Sequence, residues 1–242
     1  MFSDSRTTSR LLAAIGLVVG PLLWLASTAV SPAWADDGAA YLADVASSPT
    51  RHVLSGGLFL LGSVVILPGL IGTAHLLRSR RVTVGQIGAY LIAIGALAAG
   101  GFALVLSVVE AAMVDAAANR AEMVALSDRG EESIAAIIGF VGFFFVGLVG
   151  GTLLLAVGLV TRRAVPIWSP VLLVAGIVVL FALGDGPVGS ALGMAVLAAG
   201  FAAVAWRILN VKNEEWERWV VLPERARRGA RPADELGPAT TA

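Results

Sequence analysis

Six long apolar runs, separated by short polar links, dominate the pattern of the chain: Leu11–Val30, Val53–Leu77, Val84–Val109, Ile134–Val160, Val165–Leu183 and Val188–Leu209. A hydrocarbon layer of ~30 Å is crossed by about 20 apolar residues at helical rise, and each run is near or above that length. Strands of an outer-membrane barrel would instead alternate over about ten residues. In lipid, every backbone amide must be paired within its own segment, so the pattern predicts helices. The expected fold class is an all-α, polytopic transmembrane bundle of six spans. Pro21 and Pro68 fall inside the first and second runs, where a kink is tolerated if neighbours cover the freed carbonyls. Pro166 and Pro170 stand in the first turns of the fifth, and Gly186-Pro187 closes a hairpin before the sixth.

Charge sets the expected orientation. Arg6 and Arg10 precede the first span, Arg78, Arg80 and Arg81 link the second to the third, and Arg162 and Arg163 link the fourth to the fifth. Seven more basic residues, from Arg207 to Arg231, follow or close the sixth. Fourteen of the seventeen basic residues therefore fall on one side, while the other holds Arg51, Arg120, Arg129 and ten acids. Basic residues near span ends resist translocation, which predicts both termini in the cytoplasm of a plasma-membrane protein. Ala33-Trp34-Ala35 resembles a signal-peptidase site, and cleavage there would leave five spans. The preceding run exceeds the ~7–15 residues of a signal core and contains Gly20-Pro21, so a retained first span is the preferred reading.

Composition narrows the chemistry. Apolar residues make up 57% of the 242, charged residues only 14%, and cysteine is absent. Disulfides, thiolate catalysis and cysteine-ligated metals are thereby excluded. His52 and His75 lie at opposite ends of one run, about 34 Å apart at helical rise, so they cannot share a haem. At the outer face, His52, Glu110 and Asp115 are a candidate weak cation site, set against a reading as interface residues solvated by water and headgroups. Glu110, just past the third run, is expected to reach outward for water, with no base inside a span as partner. No nucleophile–base pair or metal-ligand set is evident, so neither enzyme activity nor a cofactor is expected.

Glycines at four-residue spacing let helix backbones approach closely. Gly16/Gly20, Gly147/Gly151 and Gly189/Gly193 are the candidate packing pairs. The fourth run, with Gly139, Gly142, Gly147, Gly150 and Gly151 around Phe143-Phe144-Phe145, is expected at the centre of the bundle. Packing within one chain is preferred over a homo-oligomer. Residues 1–10 are expected as a cytoplasmic N-terminus and 210–242 as a cytoplasmic tail, interfacial and then disordered. Trp216 and Trp219 would face one side of a helix lying along the membrane, with Arg225, Arg227 and Arg228 meeting anionic lipid or a partner. Lipid is the expected surrounding, another membrane protein is a candidate partner, and nucleic acid is not expected.

Several local stretches carry a likeness: Gly20-Pro21, Tyr41-Leu42-Ala43-Asp44-Val45, Pro49-Thr50-Arg51-His52 and Leu76-Leu77-Arg78-Ser79-Arg80. Over roughly residues 10–110 the chain resembles multi-pass membrane proteins common in actinobacteria, a group with no assigned activity. The resemblance implies a helical membrane fold and supplies no site residues. The sequence-level expectation for function is a non-enzymatic scaffold or accessory subunit, with a small-solute or ion transporter as the alternative.

Overall fold

A computed structural model of the chain describes residues 5–34, 38–78, 83–116, 138–184 and 186–217, together with 122, 124 and 125. Every regular element among them is helical. The elements are α1 (Ser5–Val30), α2 (Gly38–Ser47), α3 (Pro49–Leu76) and α4 (Val84–Ala116). They are followed by α5, with π geometry over Ile138–Gly150 and α geometry over Gly151–Arg162. The last three are α6 (Trp168–Leu183), α7 (Pro187–Leu209) and the short α8 (Asn213–Glu217). Five helices, α1, α3, α4, α5 and α7, are long and apolar enough to cross a membrane, whereas α6 has 16 residues.

Element boundaries have local causes. Proline occupies the first turn of α3 (Pro49) and of α7 (Pro187), where its missing N–H leaves no bond unmade. Pro68 breaks α3 into Pro49–Val65 and Leu67–Leu76, joined at Ile66. A capping box opens α4: the Gln86 N–H donates to Thr83 Oγ1 at 3.2 Å, and the Thr83 N–H donates to Gln86 Oε1 at 2.9 Å. Gln86 Nε2 also donates to the Ala74 carbonyl, fastening that cap to α3. At the other end of α5, Arg163 is left-handed at φ 49°, with Arg163 N–H bonded to Val160 O and Ala164 N–H to Leu159 O. This is a Schellman ending with arginine where glycine is usual, and it carries the backbone cost of that conformation.

The helices form a ring in which sequence neighbours are spatial neighbours. Packing runs α1 on α3, α3 on α4, α4 on α5, α5 on α6, α6 on α7, and α7 back on α1. Paired positions advance on one helix as they recede on the next: Gly16 meets Gly69 and Gly20 meets Ile66, while Gly95 meets Gly147 and Gly85 meets Gly158. Consecutive helices are therefore antiparallel. One apolar cluster joins all six, including Leu17 and Trp24 of α1, Ile66 and Leu70 of α3, Ile92 of α4, Leu155 of α5, Leu173 of α6 and Phe201 of α7.

Small residues set how close these axes come. A β-carbon on Gly16 would lie 2.7 Å from the Val65 carbonyl oxygen, and one on Gly20 would lie 2.7 Å from the Ile66 β-carbon. On the α4–α5 seam, a β-carbon on Gly151 would lie 2.8 Å from the Ile92 nitrogen, and one on Gly147 would lie 2.5 Å from the Gly95 α-carbon. Gly193 faces Leu180, and Gly189 faces the Leu183 carbonyl at the α6–α7 turn. All three glycine pairs thus lie against other parts of the same chain. The expected central place of the fourth run is corrected: α5 packs on α4 and α6, and Gly142 has nothing within 4 Å of where a β-carbon would stand. Gly147, Gly151 and Gly158 all serve the seam with α4, against Gly95, Ile92 and Gly85.

Candidate functional site

Polar side chains inside the bundle mostly bond the backbone of their own helix. Thr73 donates to Gly69 O, Ser107 to Ala103 O and Thr152 to Leu148 O. Two polar links cross between helices at the α1–α3 seam. Trp24 Nε1 donates to Ser63 Oγ at 3.1 Å, and Ser27 and Ser55 each donate a hydroxyl to the other's carbonyl, at 2.8 and 2.9 Å. These bonds satisfy polar groups where water is scarce, and they fix α1 in register with α3.

The ionisable cluster lies at the end of the bundle where α3 begins and α4 nears its end. His52 is in the first turn of α3 and Glu110 is six residues before the end of α4. Both are buried, at 6% and 8% exposure, and His52 Nε2 stands 2.7 Å from Glu110 Oε2. The same carboxylate oxygen accepts the Tyr41 hydroxyl at 3.1 Å from α2. The Tyr41 ring meets the His52 ring edge-on, with centroids 6.0 Å apart. His52 Nδ1 is buried and has no hydrogen-bond partner. Helix α2 is held over this place by Leu42 and Val45, which are fully buried, and by its contacts with α3 and α4.

This geometry overturns the solvated reading of His52 and Glu110. Glu110 does not reach outward to water; it turns into the α2–α3–α4 junction, where a base is waiting. The physical reason is that α2 covers the helix ends and removes the water that a free carboxylate would seek. Asp115 lies in the last turn of α4, with its side chain outside the described residues. Among the described residues no group of three or more histidine, aspartate or glutamate side chains could hold a metal ion.

At the opposite end, the chain after α7 folds back. His75 Nε2 stands 2.7 Å from the Trp216 carbonyl oxygen, and the two rings pack with centroids 4.4 Å apart. Arg78 donates to the carbonyls of His75, Glu215 and Trp216 at 2.8, 2.6 and 2.5 Å. Burial pulls the Arg78 guanidinium below its usual pKa, while the carbonyls at the end of α8 supply negative partial charge to it. The expectation that Trp216 lies along the membrane surface is corrected: it is 8% exposed and part of the apolar cluster. An indole beside a short link between helices finds more apolar surface in the bundle than outside it. Trp219, Arg225, Arg227 and Arg228 lie outside the described residues.

An open groove of ≈ 400 Å³ runs beside α4 and the start of α5, lined by Leu97, Ala98, Gly101, Phe102, Val105 and Phe143. It offers no charged or hydroxyl side chain to orient a substrate. The chain is thus an all-helical protein with five helices apolar and long enough to cross a membrane. No protein family, curated protein or solved structure matches it.

Proposed function

We propose that the chain is a plasma-membrane protein that crosses six times with both termini in the cytoplasm, and that it serves as a non-enzymatic scaffold or accessory subunit. The observation carrying this reading is the apolar interior, which is one continuous cluster shared by all six ring helices. A solute path would need polar groups free to exchange water, whereas Thr73, Thr152 and Ser107 are engaged by their own backbone.

Six spans are favoured over five by the place of α6. Its 16 residues rise about 24 Å, short of the ~30 Å core, a mismatch that local thinning accommodates at modest cost. It stands antiparallel to α7, with Leu173 facing Gly200 and Leu180 facing Gly193. A six-helix antiparallel ring returns the chain to its starting side, in keeping with the arginine bias. A retained α1 is supported by Leu17 and Trp24, both at 0% exposure and both in the shared cluster.

The contact surfaces for a partner would be the acidic outer loops and the tail beyond α8. Purification from native membranes in mild detergent should retain a stoichiometric membrane partner that is lost on deleting residues 218–242. Liposomes containing the purified protein should show no proton or solute flux above empty ones. The competing reading, a carrier gated at Glu110, draws on the His52–Glu110 pair. A protein that purifies alone and conducts, with flux abolished by Glu110→Gln, would replace the scaffold reading with that one.

A further inference from the structure

Three elements meet at Glu110, and each brings one group able to hold or give a proton. Tyr41 comes from α2, His52 from α3 and Glu110 from α4. A separation of 2.7 Å between His52 Nε2 and Glu110 Oε2 requires a proton between them, since two bare lone pairs would repel. With the carboxylate ionised, Oε2 accepts from both the imidazole and the phenol, and both bonds are charge-assisted. Among the described residues no other charged side chain is bonded to Glu110 or His52. Asp44, also on α2, is within reach of the Trp34 backbone N–H at 3.4 Å, and Arg51 is exposed. The described parts of α1 and α5 that pack on α3 and α4 carry no acid.

Adding protons degrades this arrangement in two steps. A second proton on the imidazole lands on Nδ1, which is buried and has no acceptor. A proton on Glu110 then removes the anion that both donors address, leaving an imidazolium buried without a counter-charge. Desolvated charge of that kind is tolerated only when paired. Helix α2 packs on α3 and α4 at this junction, and its Tyr41 is bonded to the same oxygen, so displacing α2 admits the water that would relieve that charge.

We infer that Tyr41, His52 and Glu110 form a proton-operated latch: ionised Glu110 holds α2 down on the ends of α3 and α4, and protonation of the cluster releases it. The ligand is the proton, and the responding element is Gly38–Ser47. The latch concerns packing at one end of the bundle, so it stands independently of the scaffold reading and of which side that end faces.

Amide hydrogen exchange on the full chain in lipid nanodiscs tests it, with rates corrected for the intrinsic effect of pH. Between about pH 7.5 and about pH 3.5, exchange over 38–47 should accelerate about tenfold or more. Exchange over α7 serves as the internal reference for an intact bundle. Glu110→Gln removes the anion that both donors address, so its α2 should already exchange at the fast rate at about pH 7.5, while Asp44→Asn should leave the acid release as in the unaltered chain. If α2 of the unaltered chain keeps its protection in acid while α7 stays protected, the latch does not exist; that arm needs no variant to fold. Release that persists in Glu110→Gln and vanishes in Asp44→Asn would likewise overturn it, moving the switch to Asp44.

Discussion

His52 and Glu110 are 58 positions apart in the chain and share one depth in the bundle. That shared depth was legible: one residue opens the second apolar run, the other closes the third, and antiparallel neighbours put those two ends together. Their contact was legible only as one alternative, the candidate outer-face site, because it depends on helix rotation and on α2 covering the junction, and neither is written in hydropathy. Tyr41 marks the gap most clearly, since an aromatic beside a span reads equally well as an interface anchor. Burial makes the pair sensitive to the loss of one partner. Replacing His52 with alanine opens a void and leaves the Glu110 carboxylate with one observed donor, Tyr41. Loss of one member of a buried pair costs about 3 kcal/mol or more. Detergent-titrated unfolding followed by circular dichroism should show His52→Ala well below the unaltered protein, with His52→Gln, which restores an N–H donor, between them. Equal stability of the two variants would mean that the imidazole N–H contributes nothing to the fold.

Helix pairs were easier to anticipate than helix ends. Apolar runs announced α1, α3, α4, α5, α6 and α7, but α2 is ten residues among polar ones, and α8 is five residues beyond the last run. The Thr83-to-Gln86 spacing is a recognisable helix start, and it passes unnoticed when lipid-crossing length alone defines the element. Four-residue glycine spacing located packing faces without naming their partners, since Gly88 and Gly95 on α4 are as tightly engaged as Gly147 and Gly151 opposite them. A matched pair of substitutions separates packing from helix propensity. Gly57 has nothing within 4 Å of an added β-carbon, whereas one on Gly88 would lie 2.6 Å from the Gly151 carbonyl oxygen. Gly57→Ala should therefore raise stability by up to about 1 kcal/mol through helix propensity alone. Gly88→Ala makes the same chemical change and should lower stability by about 1–3 kcal/mol, because α4 and α5 must separate. Equal shifts in the two proteins would show that the α4–α5 seam yields without cost.

At the scale of the whole molecule, ring order and arginine placement are two independent constraints that meet on one topology. The ring arises because each helix packs on its sequence neighbours and α7 closes on α1, with Ile208 near the end of α7 and Ala13 near the start of α1 both close to Gly72. The arginine bias comes from insertion rather than packing, and it puts residues 78, 162 and 163 on the side where α1 begins. The absence of cysteine gives a clean assay, since each introduced thiol is the only one in the protein. Ser9, Ser47 and Lys212 are all exposed, the first near the start of α1, the second at the end of α2 and the third between α7 and α8. In intact cells a membrane-impermeant maleimide should modify Ser47→Cys and spare Ser9→Cys and Lys212→Cys, which should react only after permeabilisation. Labelling of Lys212→Cys from outside would leave an odd number of crossings between it and a protected Ser9→Cys, and α6 would then lie on the membrane instead of through it. Failure to find residue 9 in the mature chain would point to cleavage after Ala35, and α7 would lose its α1 neighbour. A ring that keeps Leu17 and Trp24 fully buried predicts that neither occurs.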